Sequence, residues 1–201
     1  SAGKTALAIS FAWHMAERYR VGFYSLETNQ YKLADRLMAN LARIDMPTIK
    51  RGSISEEQWA ALTEITPQLR KRTLELIQAG GMTVEDIQAD ALARGYQVIF
   101  VDYLQLIVCQ GHNRTEQVSR ISIGLHQLAQ RHNITVVALS QLSRPEKKGE
   151  EDKAPTMASL RESGQIEQDA DAILLLYLEE PQRPAKSRRV LKVAKNKEGE
   201  R

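Results

Sequence analysis

The chain has 201 residues, of which 42% are hydrophobic and 26% charged. This composition is enough for one domain with a buried core, and it excludes a disordered chain, which would be poorer in apolar residues. No apolar run approaches the ~20 residues of a membrane span, so no membrane association is expected. The formal net charge of +3 permits an acidic partner without requiring one. The single cysteine, Cys109, is typical of a reducing compartment, and we expect a cytoplasmic protein.

Short apolar strands alternate with amphipathic helices along the chain. The patterns predict strands at residues 21–26, 73–77, 97–101, 134–139, 172–177 and 189–194. They predict helices from Lys4 onward, around residues 33–41, behind residue 55, from residue 84 and over residues 118–128, with a loop at 143–158. This alternation predicts an α/β fold with a mainly parallel central sheet and helices on both faces.

Three features of the helices lead to specific expectations. Ser55 with Gln58 three residues later resembles a capping box at a helix start. Trp13 and Trp59 are expected to be packing residues rather than platforms on which bases stack. The apolar stripe of residues 118–128 could pack on its own sheet or on a neighbouring subunit, and periodicity leaves both open.

The first residues form a candidate phosphate site. The run SAGKT, followed by Ala6, matches the second half of a Walker A loop, and its members are Ser1, Ala2, Gly3, Lys4 and Thr5. Backbone N–H groups around the glycine can face phosphate oxygens, the lysine can reach the β- and γ-phosphates, and the threonine hydroxyl can ligate Mg²⁺. Gly-Lys-Thr is a common tripeptide, so this run alone leaves nucleotide binding open.

Three predicted strands end next to a polar residue of useful chemistry. Glu27, Asp102 and Gln141 follow the strands at 21–26, 97–101 and 134–139. Ligands of open α/β sheets bind at the carboxyl ends of strands. A carboxylate after four apolar residues is a Walker B pattern that supports Mg²⁺, a second carboxylate can activate water, and an amide can sense the γ-phosphate. Together with the Gly-Lys-Thr run, these residues favour an NTPase.

Five further stretches occur in a particular order along the chain. They are YSLE at 24–27 with LADRL at 33–37, VDYLQL at 101–106, ALSQLSR at 138–144, LRESGQIEQDAD at 160–171 and KNKEG at 195–199. In this order they resemble the C-terminal motor domain of DnaB-type replicative helicases, and the resemblance runs from residue 1 to 201. It implies a RecA-like P-loop NTPase fold.

The resemblance also implies an activity and partners. The family hydrolyses ATP with Mg²⁺ to translocate on single-stranded DNA and to unwind duplex DNA in the 5′→3′ direction during replication. Its members act as homo-oligomers, typically hexameric rings, with primase and a helicase loader as partners in the primosome. Members carry a strand before the phosphate loop, a final strand and an N-terminal domain, so we expect residues 1–201 to be a fragment that begins inside the loop.

Residue by residue, the resemblance assigns the catalytic roles. Lys4 and Thr5 bind phosphate and Mg²⁺, and Glu27 is the carboxylate that activates water. Asp102 supports Mg²⁺, partly through water, and Gln141 senses the γ-phosphate.

The resemblance also assigns residues that act outside the nucleotide pocket. Arg161, Glu162 and Gly164 match the loop that contacts single-stranded DNA, although the arginine alone could equally be a solvated surface residue. Lys195 and Lys197 match basic residues that reach a neighbouring subunit's nucleotide as a trans finger. The family usually has arginine where Lys197 stands, and lysine lacks the planar fork of arginine.

Two other functions remain as alternatives. A RecA-like recombinase or a clock-type ATPase would share the same core, and the stretch at 160–171 argues against both. A non-hydrolysing adaptor that only oligomerises or binds DNA is the second alternative. The intact set of Lys4, Glu27, Asp102 and Gln141 argues against it.

Overall fold

The computed structural model describes residues 2–142, 154–160, 164–183 and 186–199. The helices are α1 (Lys4–Met15), α2 (Gln30–Ala42), α3 (Met46–Arg51), α4 (Glu56–Lys71), α5 (Val84–Arg94), α6 (Arg114–His132) and α7 (Gly164–Asp169). The strands are β1 (Val21–Ser25), β2 (Leu74–Gln78), β3 (Val98–Asp102), β4 (Thr135–Ala138), β5 (Ala172–Leu178) and β6 (Arg189–Asn196). Short 3₁₀ helices occur at Leu104–Leu106 and Met157–Leu160.

A four-stranded parallel sheet forms the centre of the fold, in the order β2-β1-β3-β4. β1 pairs in parallel with both neighbours, so that Ser25 lies beside Gln78 on one side and Asp102 on the other. The predicted parallel sheet with flanking helices is therefore confirmed. The predicted strand positions agree with the observed ones to within two residues at each end.

The last two strands depart from the parallel pattern. β5 and β6 pair antiparallel with each other as a separate two-stranded sheet. A parallel pair needs a long crossover, usually through a helix, whereas an antiparallel pair needs only a turn. The connection at 179–188 holds no described helix, and it closes through a hydrogen bond from the Glu179 N–H to the Arg188 carbonyl at 3.0 Å. We call this β5–β6 unit the hairpin.

The core lies on both faces of the parallel sheet. Phe23 and Phe100 point to the face covered by α1 and α2, and their rings stack with centroids 5.8 Å apart. Ile99 and Val101 point to the opposite face, which α5 and α6 cover. Because side chains alternate along a strand, β1 and β3 are buried on both faces and read as continuous apolar runs.

The apolar stripe of α6 packs on the chain's own sheet. Its members Val118, Ile121, Leu125 and Leu128 are buried in one cluster with Ile99 and Val101. This observation decides between the two alternatives that the periodicity left open.

The helix α4 confirms one expectation and contradicts another. Ser55 Oγ accepts from the Gln58 N–H at 3.3 Å, and Gln58 Oε1 accepts from the Ser55 N–H at 3.0 Å, so the capping box is present. Trp13 is buried as predicted, but Trp59 is 58% exposed. The prediction for Trp59 is wrong because it lies about 120° around the helix from the buried Ile65.

The helix α3 was missed by the periodicity. It has six residues, with an Asp45 side chain capping its start and Gly52 ending it at a φ of 68°. Six residues are too few to display a helical repeat.

Among the described residues, no helix is both long enough and apolar enough to cross a bilayer.

Candidate active site

Parallel pairing brings the predicted polar residues to one edge of the sheet. Asp102 is the last residue of β3, and Glu27 follows β1 by two positions. The Leu26 N–H donates to the Asp102 carbonyl at 2.9 Å, which ties the ends of these two strands together. Beyond β4, the Leu104 N–H donates to the Leu139 carbonyl at 2.9 Å, so the segment before Gln141 is held at the same edge.

Helix α1 begins at this edge. Its N-cap, Gly3, has a φ of 98°, a left-handed conformation that side chains of L-residues disfavour. Lys4 Nζ donates to the Ser140 carbonyl at 2.7 Å, across the end of β4, and lies 5.9 Å from the Tyr103 ring centre. The Thr5 hydroxyl hydrogen-bonds to the Asp102 carboxylate. The structure therefore joins the start of α1 to β3 and β4 through polar contacts.

The charges at this edge are partly buried, and burial shifts two pKa values. Burial lowers the pKa of Lys4, against the attraction of Asp102 and Glu27. Burial raises the pKa of Asp102, and the Glu27 charge raises it further, against the Thr5 hydrogen bond and the charges of Lys4 and Arg36. Desolvation thus outweighs the mutual attraction of lysine and aspartate. Such shifts in a group of close charges are typical of functional sites.

The predicted residues differ in how fully they are placed. Lys4, Thr5 and Asp102 contact one another or the same strand ends, and the Asp102 residue is only 4% exposed. Glu27 is exposed, but its charge acts on both Lys4 and Asp102. The Gln141 side chain is exposed as well. Ala2 and Ala6 flank the start of α1, and Ser1 lies outside the described residues.

Gln105 is a positioning residue to which the motif assignments give no role. Its Nε2 donates to Ser140 Oγ at 2.8 Å and to the Gln141 carbonyl at 3.3 Å, while its Oε1 accepts from the Gln141 N–H at 3.3 Å. It is 7% exposed, and Arg114 at the start of α6 donates to its carbonyl. A polar residue between two leucines shortly after Asp102 was the signal that could have identified it.

The predicted DNA-contact residues are described only in part. Gly164 is exposed and begins α7, while Arg161 and Glu162 lie outside the described residues. Helix α7 is attached to α6 through Asp169, whose carboxylate accepts from Ser122 Oγ at 2.7 Å. Gln165 Nε2 donates to the same carboxylate at 2.7 Å.

The two predicted finger lysines contact the end of α7 and the segment directly after it in the same chain. Lys195 Nζ donates to the carbonyls of Glu167 at 2.6 Å and Gln168 at 3.2 Å. Lys197 Nζ donates to Asp171 Oδ1 at 2.7 Å, and this hydrogen bond lowers the pKa of Asp171. A cation at the C-terminal end of a helix is favourable because the last carbonyls are unpaired and carry partial negative charge.

Comparison with known proteins identifies the family. The profile of the DnaB-like helicase C-terminal domain matches residues 1–201. The chain belongs to the DnaB-like helicase C-terminal domain family. Two solved structures support the fold assignment. One is an ATPase domain, which gives a TM-score of 0.89 at 31% identity and covers 100% of this chain and 75% of that chain. A DnaB-like replicative helicase, studied with its interactions with primase, gives 0.89 at 32% identity and covers 100% and 51%.

Curated relatives are replicative helicases. The replicative DNA helicase DnaB of Rickettsia typhi is 37% identical over 198 residues, covering 90% of this chain and 40% of the relative. A probable plasmid replicative DNA helicase of Chlamydia muridarum is 41% identical over 187 residues, covering 90% and 41%. The chain thus spans about two fifths of the length of these relatives.

Proposed function

We propose that this DnaB-like domain is the ATP-hydrolysing motor of a replicative DNA helicase. The observation that carries the proposal is the meeting of Lys4, Thr5 and Asp102 at the carboxyl edge of a parallel sheet. The Glu27 charge acts on the same group. A lysine, a hydroxyl and a partly buried carboxylate at a helix N-terminus form the donor set that a nucleoside triphosphate with a divalent cation requires.

The phosphates of ATP bind at the start of α1 in this proposal. The backbone N–H groups that follow Gly3 are among the unpaired donors of a helix N-terminus, and the helix dipole favours negative charge there. Lys4 Nζ donates to the Ser140 carbonyl in the structure. We propose that it exchanges this acceptor for phosphate oxygens, which are charged and therefore stronger acceptors.

Thr5 and Asp102 would hold Mg²⁺. Both present oxygen ligands, which suit this hard cation, and the Thr5 hydroxyl is close enough to Asp102 to lower the pKa of its carboxyl against the effect of burial. Among the described residues, no cluster of three or more His, Cys, Asp or Glu side chains offers a site of its own. The remaining ligands would therefore come from phosphate and water. When bound, the cation neutralises charge on the phosphate oxygens.

Glu27 would activate the attacking water. Its carboxylate accepts a proton from water as the water oxygen attacks the γ-phosphorus, and the bond from that phosphorus to the bridging oxygen breaks, leaving ADP and phosphate. Gln141, held in place through Gln105, would donate a hydrogen bond to the γ-phosphate. Loss of that hydrogen bond after hydrolysis would move the Ser140–Gln141 segment.

Single-stranded DNA would be bound by Arg161, Glu162 and Gly164. Contacts of this kind are made mainly to phosphates, so binding is independent of sequence and sensitive to salt. One short loop per subunit supplies few contacts, and a homo-oligomeric ring, which we propose to be a hexamer, repeats it. This arrangement suits a net charge of only +3. We propose 5′→3′ translocation, in line with the family resemblance.

Lys195 and Lys197 would complete the active site of a neighbouring subunit. A cation supplied in trans stabilises the charge on the transferred phosphoryl group. In the single chain Lys195 binds the last turn of α7, and Lys197 binds Asp171, two residues beyond it. Ring assembly must therefore replace these contacts with contacts to phosphate, and this exchange would link the neighbour's nucleotide to α7, which follows the DNA-contact residues.

Primase and a helicase loader are the proposed protein partners, and the cytoplasm is the proposed compartment. The primase partner is supported by the solved DnaB-like helicase studied with primase. The single Cys109, which is unpaired, fits a reducing compartment.

An ATPase assay with and without single-stranded DNA tests the proposal. We expect turnover to rise several-fold with DNA and to fall at least about 100-fold in Lys4→Ala, which removes the phosphate-binding ammonium. The matched control is Lys50→Ala, which removes an exposed lysine of α3 and should leave turnover unchanged. Turnover indifferent to DNA would instead favour a different ATPase of the same core. Absence of turnover with intact DNA binding would favour the adaptor.

A further inference from the structure

One basic side chain beside the phosphate loop has no role in the motif assignments. Arg189 is the first residue of β6, opposite Leu178 at the end of β5. Its Nε lies 3.7 Å from the point where a Cβ on Gly3 would stand. The hairpin therefore places the Arg189 side chain against Gly3, the residue that caps α1 and that lies far from it in sequence.

The hairpin determines which of two adjacent arginines faces the loop. Side chains alternate along a strand, so Arg188 and Arg189 point to opposite sides. Arg188 Nε lies 3.9 Å from Glu179 Oε2, and its side chain is 85% exposed. The turn that leads into β6 is held by the Glu179 N–H bond to the Arg188 carbonyl at 3.0 Å and by the Glu180 N–H bond to Ser187 Oγ at 2.8 Å. Arg189 is exposed, and its Nε lies beside Gly3 whereas Arg188 lies beside Glu179.

The chemistry of the position points to phosphate. An anion at the start of α1 would be flanked by Lys4, which extends toward the end of β4, and by Arg189, which comes from the hairpin. The acidic neighbours Asp102 and Glu27 act on Lys4. A guanidinium presents a planar set of donors that matches two phosphate oxygens, and its charge does not titrate near neutral pH.

We propose that Arg189 is a nucleotide-binding residue that donates hydrogen bonds to the phosphates of the nucleoside triphosphate or diphosphate at the start of α1. This proposal rests on the proposed nucleotide site and adds a cation supplied by the same chain. It also gives the hairpin a role in nucleotide affinity, separate from that of Lys195 and Lys197 at its other end. Arg189 acts in binding, so its loss should raise Kd for ATP and ADP alike.

The test is a fluorescence titration of the purified protein with ribose-labelled ADP and ATP in the presence of Mg²⁺. We expect Arg189→Ala to raise Kd about tenfold, as for the loss of a charge-assisted hydrogen bond. Arg189→Lys, which keeps the charge, should recover part of the affinity. Arg188→Ala is the matched control, and its Kd should stay within about twofold of wild type. Equal thermal midpoints for the two alanine variants exclude a folding defect.

Competition with inorganic tripolyphosphate separates phosphate contacts from contacts to the base or ribose. Arg189→Ala should weaken tripolyphosphate by about the same factor as ATP, because the probe has only the phosphates. A loss confined to the nucleotides overturns the phosphate assignment, and an unchanged Kd for all three ligands overturns the proposal. Lys4→Ala is measured in parallel. If it abolishes binding while Arg189→Ala does not, only the Arg189 proposal fails, and if neither variant affects binding, the nucleotide site itself is wrong.

Discussion

Lysines at the carboxyl edge of the parallel sheet and at the C-terminal end of β6 have different surroundings. At the sheet edge, Lys4 is half-buried, its pKa is lowered by burial, and it reaches across to the end of β4. At the hairpin end, Lys197 is 45% exposed and forms an ion pair with Asp171, which is 74% exposed. Lys4 therefore belongs to a group of interacting charges that includes Asp102 and Glu27. Lys197 has a surface partner that solvent can readily replace.

In the proposed ring, this difference would distinguish a site formed within one chain from a contact formed between two subunits. Lys4 and Asp102 are partly buried, and the charge of the exposed Glu27 acts on both, so the proposed phosphate site would be formed before any ligand arrives. Exposed ion pairs contribute at most about 1 kcal/mol, so in the proposed ring a phosphate of a neighbouring subunit would displace the contacts of Lys197 at low cost. We therefore expect substitutions at the sheet edge to act within a subunit and substitutions at the hairpin end to act between subunits.

The largest expected effect is that of Glu27→Gln. The amide keeps the shape of the side chain but cannot accept the proton of water, so turnover should fall by about 100-fold or more while ATP affinity stays within a few-fold. Steady-state ATPase and nucleotide titration measure the two quantities. Glu64→Gln, at an exposed position of α4, is the control and should change neither turnover nor ATP affinity. Turnover near the wild-type rate would remove Glu27 from the role of base.

A mixing experiment with Lys197→Ala sharpens the distinction between the two regions. This variant should lose about 100-fold in turnover, and Lys192→Ala, an exposed lysine of the same strand, should not. In rings assembled from equal amounts of Lys197→Ala and Lys4→Ala, about a quarter of the interfaces combine an intact Lys4 with an intact Lys197. Activity should therefore reappear in the mixture. A mixture as inactive as its components would contradict action in trans.

A smaller effect is expected for Gln105→Leu. The substitution leaves Ser140 Oγ and the Gln141 N–H without their buried partner, which should lower the free energy of unfolding by about 1–3 kcal/mol. It should also reduce kcat about tenfold, with little change in KM, because the Gln141 segment loses its support. Gln110→Leu, at an exposed position, is the control. An unchanged kcat would mean that Gln105 serves stability alone.

The smallest expected change is a shift of Tm, and of its dependence on pH, when Asp102 is replaced. Its pKa is raised by burial, so the ionised carboxylate destabilises the folded chain above that pKa, and the cost disappears as protonation occurs on lowering the pH. Without Mg²⁺ or nucleotide, Asp102→Asn should raise Tm by about 1–2 °C near neutral pH, while turnover collapses. The Tm difference should shrink as pH falls toward the aspartate range. Asp35→Asn, which removes a carboxylate of α2, is the control and should leave both Tm and turnover near the wild-type values. A Tm difference that grows on acidification would reverse the assigned sign.

Much of the fold could be predicted because its signals are local. Runs such as residues 98–101 are apolar at every position, which is typical of a strand buried on both faces of a parallel sheet. The start of α4 could be predicted from Ser55 and Gln58 alone, since a capping box involves only residues close together in sequence. The helix α3 could not be predicted, because its six residues are too few to display a helical repeat. The exposure of Trp59 could not be predicted either, because side-chain burial depends on what packs against each helix face.

The candidate site divides in the same way. Lys4, Thr5, Glu27, Asp102 and Gln141 could be named from the sequence because each follows a strand end or lies in a phosphate-loop pattern. The sequence marks Gln105 as a polar residue between two leucines, but its role depends on hydrogen bonds to Ser140 and Gln141, which the sheet order brings beside it just beyond β4. The approach of Arg189 to Gly3 joins residues that lie 186 positions apart along the chain.

The sequence by itself determined the alternation of strands and helices, the phosphate-loop pattern at the start of α1 and the residue types at the strand ends. These properties depend on residues that are neighbours in sequence, through the period of the hydrophobic pattern and the chemistry of the side chains. The tertiary structure decided which face α6 covers, that β5 and β6 leave the parallel sheet, and which cations stand beside which carboxylates. The physical reason is that packing, desolvation and long-range pairing act between segments, so their outcome depends on the assembled sheet.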